Sequence, residues 1–215
     1  MRNIAFILTL MISLVGCQSA LRKTMYSAYE TVGIEKRDLL KKRIITARNE
    51  EEKTNAEFKD ALTRLRSVVS FDGGPLEKEY DSLKSSYDRS LAQSQDVKKS
   101  VTAVETVAND LFVEWQGEIE QISSSELKNE SRKKLRDTES KYRSLHSALK
   151  KAEAQMEPVL RKFNDQVLFL KHNLNAQAIG SLKGEMTRIQ SDITLLIRQM
   201  DEAIGQADRF IGELK

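Results

Sequence analysis

Apolar residues recur at alternating spacings of three and four along most of this chain. That is the pattern of helices meeting through a narrow seam. The clearest stretch runs Tyr80, Leu83, Tyr87, Val97, Val101, Val104, Ala108, Leu111, Trp115 and Ile122. Ser90 and Ser94 keep the same frame, and Glu118 cedes its place to Ile119. A second stretch runs Leu135, Thr138, Tyr142, Leu145, Leu149, Ala152, Met156, Val159, Phe163, Val167, Leu170 and Leu174. A third runs Leu182, Met186, Ile189, Ile193, Leu196, Met200, Ala203, Ala207, Phe210 and Leu214. Nearer the start, Ile44, Ala47, Phe58, Ala61, Leu65 and Val68 hold the frame, while Glu51 and Thr54 interrupt it. Before Gly33 the frame shifts to Leu21, Met25, Ala28 and Val32.

The breaks between these stretches have readable chemistry. Asp72-Gly73-Gly74-Pro75 separates the first two, glycine suiting a helix C-cap and proline the first turn of the next helix. Ser123 and Glu126 stand at capping-box spacing between the second and third. Asn175 to Ser181 joins the third and fourth, with Ser181 as the expected N-cap. The pattern therefore predicts helices at about 19–70, 76–122, 124–174 and 181–214. Short connections make consecutive helices antiparallel neighbours. The expected fold is all-α: an elongated, antiparallel, coiled-coil-like four-helix bundle, forming a single domain over residues 17–215. Pro158 falls inside the third stretch while the repeat continues on both sides, which predicts a kink rather than two separate helices.

Composition agrees with long helices. There are nine glycines and two prolines in 215 residues, too few chain breakers for a sheet protein with many turns. The net charge is +3, giving no global nucleic-acid footprint.

The first 17 residues have a different character. Met1-Arg2 supplies a short cationic start, Ile4 to Leu14 an apolar run, and Leu14-Val15-Gly16-Cys17 an end with a small residue before cysteine. That order is a secretory signal peptide. The apolar run is shorter than the roughly 20 residues of a spanning helix. Cysteine directly after glycine marks the lipoprotein type. Residues 1–16 are expected to be removed, and Cys17, the only cysteine, becomes the acylated first residue. Gln18 in place of aspartate favours the outer membrane over inner-membrane retention. The expected location is thus the periplasm, tethered to the outer membrane by an acyl anchor, and no nucleic-acid partner is expected there.

Several segments resemble an uncharacterised family of bacterial helical proteins, the domain of unknown function numbered 2959. The matching stretches are Val32-Gly33-Ile34-Glu35-Lys36-Arg37-Asp38, Phe71-Asp72-Gly73-Gly74-Pro75-Leu76-Glu77 and Leu111-Phe112-Val113-Glu114-Trp115. A longer one spans Gln166-Val167-Leu168-Phe169-Leu170-Lys171-His172-Asn173-Leu174-Asn175-Ala176. The resemblance implies a helical, exported protein and brings no activity and no catalytic residues with it.

Candidate chemistry is sparse. His146 and His172 are the only histidines. His172 is expected to cap or face solvent near the end of its helix, and His146 to flank the seam beside Leu145. No transition-metal ligand spacing, Walker loop, dinucleotide fingerprint or nucleophile elbow is present. No catalysis, metal or cofactor is expected. Trp115 reads as core, and Glu114 beside it as a flank reaching solvent.

Two surfaces stand out. Val167-Leu168-Phe169-Leu170 and Ile193, Leu195, Leu196, Ile197 are denser in apolar residues than a narrow seam requires. The expected explanation is a fuller core; the sharper alternative is a partner or hydrophobic-ligand surface at Leu168, Phe169, Leu195 and Ile197. The second surface follows from the anchor. With the first helix leaving the membrane, the Ser123–Ser125 turn returns to it. Arg22, Lys23, Lys128, Arg132, Lys133, Lys134 and Arg136 then form a basic membrane-proximal face, opposed by Glu126, Glu130 and Asp137.

The function most consistent with this pattern is a structural or protein-interaction role in the cell envelope, with a protein partner there. A hydrophobic-ligand carrier, or a peptidoglycan tether through Lys215, are the alternatives.

Overall fold

The computed structural model describes residues 36–70, 75–173 and 176–214. Its elements are α1 (Lys36–Val69), α2 (Leu76–Gln121), α3 (Ser125–His172) and α4 (Ala176–Glu213), with no strand among the described residues. The chain divides into compact units at Met1–Leu39 and Leu40–Lys215. The larger unit carries the helical packing described below.

Cross-helix pairs fix the arrangement. Glu105 with His146 and Glu120 with Arg132 join α2 to α3. Lys162 with Asp192, Lys151 with Glu202 and Lys141 with Glu213 join α3 to α4. Glu57 and Asp60 meet Arg89 between α1 and α2, while Asn55 meets Asp201 and Arg48 meets Asp208 between α1 and α4. In the pairs of α2 with α3, α3 with α4 and α1 with α4, residue numbers rise on one helix as they fall on the other. Each helix therefore runs antiparallel to its neighbours, and α1 lies diagonally across from α3. At 1.5 Å per residue the helices are roughly 50 to 70 Å long.

The seam is the one the repeat marks. Ile44, Ala47, Phe58, Ala61, Leu65 and Val68 of α1 are all buried, as are Leu83, Val97, Val101, Val104, Ala108, Leu111 and Ile119 of α2. The α3 frame is buried from Tyr142 through Leu170, and the α4 frame from Leu182 through Phe210. The core is wider than the repeat alone, because Leu62, Val107, Ala148 and Leu160 flank the frame and are buried as well. Aromatic rings brace it at two levels. Tyr87 meets Phe163 edge-on at 5.5 Å, and Tyr142 packs among Phe112, His146 and Phe210.

Four details of the helix ends differ from the sequence pattern, although the second helix starts at Leu76 as expected. Ser124, not Ser123, caps α3, its hydroxyl accepting from the Leu127 amide at 3.3 Å. Helix α4 starts at Ala176, so Ser181 is an interior position and not the N-cap. The run Ala176-Gln177-Ala178-Ile179 contains no breaker, so the helix forms five residues early and carries Gly180 inside it. Asn173 ends α3 instead, its amide donating to the Leu170 carbonyl and its side chain to the Phe169 carbonyl. Pro75 stands at the N-cap of α2, one position before its first turn. Helix α3 runs unbroken through Pro158, as the continuing repeat predicts. Gly73, Gly74 and everything before Lys36 lie outside the described residues. Ser124→Ala should lower stability by about 1 kcal/mol, the usual contribution of a side-chain cap. Urea unfolding at unchanged slope checks this.

Candidate functional site

The seam's two polar interruptions lie inside the bundle. Glu51 and Thr54 are both 0% exposed, and Asn55 beside them is 3% exposed. Thr54 resolves its hydroxyl locally, donating to the Glu50 carbonyl at 2.6 Å, the usual refuge of a threonine within a helix. Asn55 reaches α4 and donates to Asp201 Oδ1 at 2.8 Å and the Ile197 carbonyl at 3.3 Å. Glu51 has no such outlet. Neither of its carboxylate oxygens has a hydrogen-bond partner among the described residues. Loss of water pushes its carboxyl up to about 8, and the charge of Glu153 from the diagonal helix adds to the shift.

Glu153 belongs to a polar line on the α2–α3 flank. Lys150 contacts Glu153 at 2.8 Å and Glu105 at 3.7 Å, and Glu105 contacts His146 Nε2 at 2.7 Å. The Lys150 ammonium is held above its ordinary range, first by its hydrogen bond to Glu153. Burial, with the nearby Glu105 charge, pushes the Tyr142 hydroxyl up to about 12. A groove of about 320 Å³ opens on the same flank, lined by Tyr87, Leu91, Lys98, Glu153, Met156 and Arg161 among others. Phe169 and Leu196 do not line it, so the groove lies elsewhere than the hollow a carrier would place there. Among the described residues no three His, Cys, Asp or Glu side chains gather as a metal site.

The four residues of the apolar surface are not brought together. Leu168 and Phe169 are 46% and 38% exposed near the end of α3. Leu195 is exposed at 39%, but it belongs to the level of α4 where Asp192 meets Lys162, more than a turn away. Ile197 is half-buried on the α1-facing row of α4, whose carbonyl takes the Asn55 bond. The local excess of apolar residues thus divides between flanks and does not make one patch.

The basic face is partly neutralised. Lys128 and Arg132 both bind Glu120, at 3.3 and 2.9 Å, and Lys134 pairs with Glu130 at 3.1 Å. Those two cations hold the Glu120 carboxyl below its ordinary range, Arg132 contributing most. Lys133 and Arg136 are exposed. Asp110, Glu114, Glu118, Glu120, Glu126, Glu130, Asp137 and Glu139 outnumber the five cations on this hairpin, so its pull toward an anionic surface is weak. Trp115 is half-buried and donates its indole N–H to Ser131 Oγ at 3.1 Å. His172 is exposed in the last turn of α3. Cys17, Arg22, Lys23 and Lys215 lie outside the described residues.

Sequence reasoning marked Glu51 and Thr54 as interruptions but missed Asn55, Glu153 and the Glu105–His146 pair. All four residues are polar and one position off the frame, where pattern alone reads solvent. A family profile described as a protein of unknown function, DUF2959, matches residues 25–214. Among curated proteins none matches the chain significantly.

Proposed function

The chain belongs to the DUF2959 family, and from its own residues we propose that it is a lipid-anchored helical protein of the bacterial envelope, with a structural or protein-interaction role and no catalysis. The observation that carries this is Leu14-Val15-Gly16-Cys17 after a cationic start and a short apolar run. A single cysteine at that one position, flanked in that way, is accounted for by acylation. No helix among the described residues is long and apolar enough to cross a membrane. On this reading the acyl chains supply the attachment. Two acyl groups on one cysteine hold a protein stably, where a single chain binds only marginally. Gln18 directs the anchored protein to the outer membrane, with the bundle in the periplasm. Long helices with large charged faces then offer an extended surface to envelope partners.

The test is fractionation. The wild-type protein should sediment with outer membranes and resist extraction by salt. Cys17→Ser should remove it from that fraction, either as soluble periplasmic protein or as unprocessed precursor. A Cys17→Ser protein that stays in the outer membrane at wild-type level contradicts the proposal.

A further inference from the structure

The interior acid of α1 stands in the wrong protonation state for a closed bundle at alkaline pH. Glu51 is fully buried in the seam and has no donor on either oxygen among the described residues. An ionised carboxylate there has lost its water and gained no partner, so burial alone favours the protonated acid.

The surroundings do not relieve it. On α1, Glu50 is engaged by Lys53 and Gln93, and Arg48 by Glu52 and Asp208. From α2, Asp96 and Lys99 pair with each other in the groove they share with Glu50. From α3, Glu153 brings a like charge, and its cation Lys150 is already held between Glu153 and Glu105. From α4, Asp201 is taken by Asn55 and Asp208 by Arg48, while the seam offers Met200, Ala203 and Ala207.

The seam is also thin at this level. Ala47, Thr54, Ala152, Ala203 and Ala207 are buried small side chains near it, whereas the large buried apolar side chains of α1 lie to either side, Phe58 and Leu65 on one and Leu40 and Ile44 on the other. A local parting here exposes little apolar surface and brings water to the carboxylate.

We propose that Glu51 is a proton-controlled latch for the middle of α1: the protonated acid permits the closed seam, and the ionised acid parts α1 locally from the other three helices. The closed form holds a proton that the open form releases. The opening constant therefore rises tenfold per pH unit, from the ordinary carboxylate range up to the pH at which Glu51 ionises in place, and is level beyond it.

Hydrogen–deuterium exchange by mass spectrometry on the purified full chain tests this, at pH 5.5, 6.5, 7.5 and 8.5, with rates corrected for intrinsic exchange. Peptides covering Ile44 to Phe58 should lose protection about tenfold per unit up to about pH 8 and stay well below peptides around Phe163, which open only with the whole bundle. Glu51→Gln should make the α1 protection independent of pH. Protection of α1 that is flat with pH in the wild type, or that falls equally in the Gln variant, overturns the latch. Should the variant fail to fold, the wild type alone decides. Protection of α1 that falls with pH and stays below that of the Phe163 peptides supports the proposal, and protection equal to theirs at every pH overturns it.

Discussion

Glu51→Leu should yield a protein more stable than the wild type at pH 7, by about 3 kcal/mol, although it removes a charged residue from a protein rich in charge. The effect rests on what burial does to this one group. Loss of water, and secondarily the Glu153 charge, push the Glu51 carboxyl up to about 8 in the folded chain. In the unfolded chain it titrates in the ordinary carboxylate range. Between those limits the folded state binds a proton that the unfolded state has released, so wild-type stability falls as pH rises through that window and is flat above it. Each pH unit contributes about 1.4 kcal/mol. Leucine has a similar volume and no charge to desolvate, and replacing a buried ion by an apolar residue of its size is often stabilising. The gain over wild type should be small near pH 5, grow with pH, and level off above about pH 8. Urea unfolding at pH 5, 7 and 9 measures it. Parallel pH profiles for the two proteins would show that Glu51 reaches solvent in the folded state.

The opposite extreme is Phe163→Ala, which should cost about 4 kcal/mol. Phe163 is 0% exposed and among the largest fully buried side chains. Its removal leaves a cavity in the seam, and the cost of such a truncation grows with the volume left unfilled. It also loses the edge-on contact with Tyr87, a geometry that adds about 1 kcal/mol beyond area alone. The informative control is Leu168→Asp, on the same helix but 46% exposed. Its effect should stay within about 0.5 kcal/mol, as for other surface substitutions. A Leu168→Asp variant as unstable as Phe163→Ala would mean that this flank is covered.

The difference between Phe163 and Leu168 also shows how far the sequence could be read. The heptad frame places Phe163 inside with nothing further needed, because a narrow seam in a long helix has one periodicity and Phe163 falls on it. Helix number, order and the breaks near residues 70, 123 and 174 follow from the same regularity. Leu168 and Phe169 do not yield to it. Local apolar density says that something is in excess there, but the side of the helix that meets a neighbour depends on inter-helix register. Register also hides the Glu51–Glu153 encounter. Those residues sit on diagonal helices about a hundred positions apart, and their common level is set by the lengths of three helices and the turns between them. Ser181 misled for a local reason: a serine after a polar stretch resembles a cap, yet the preceding Ala-Gln-Ala-Ile is itself helix-forming. For Glu51 the interruption was visible, but a polar residue in an apolar frame is equally consistent with a helix rotated toward solvent. Full burial without a partner is visible only in the packing.

The envelope role rests on what happens at Cys17. Intact-mass analysis of the protein extracted from membranes addresses it most directly. A mature chain beginning at Cys17, its mass raised by the diacylglyceryl and amide-linked acyl groups of a bacterial lipoprotein, is the predicted result. A chain retaining residues 1–16, or one beginning beyond Cys17 without lipid, contradicts the account.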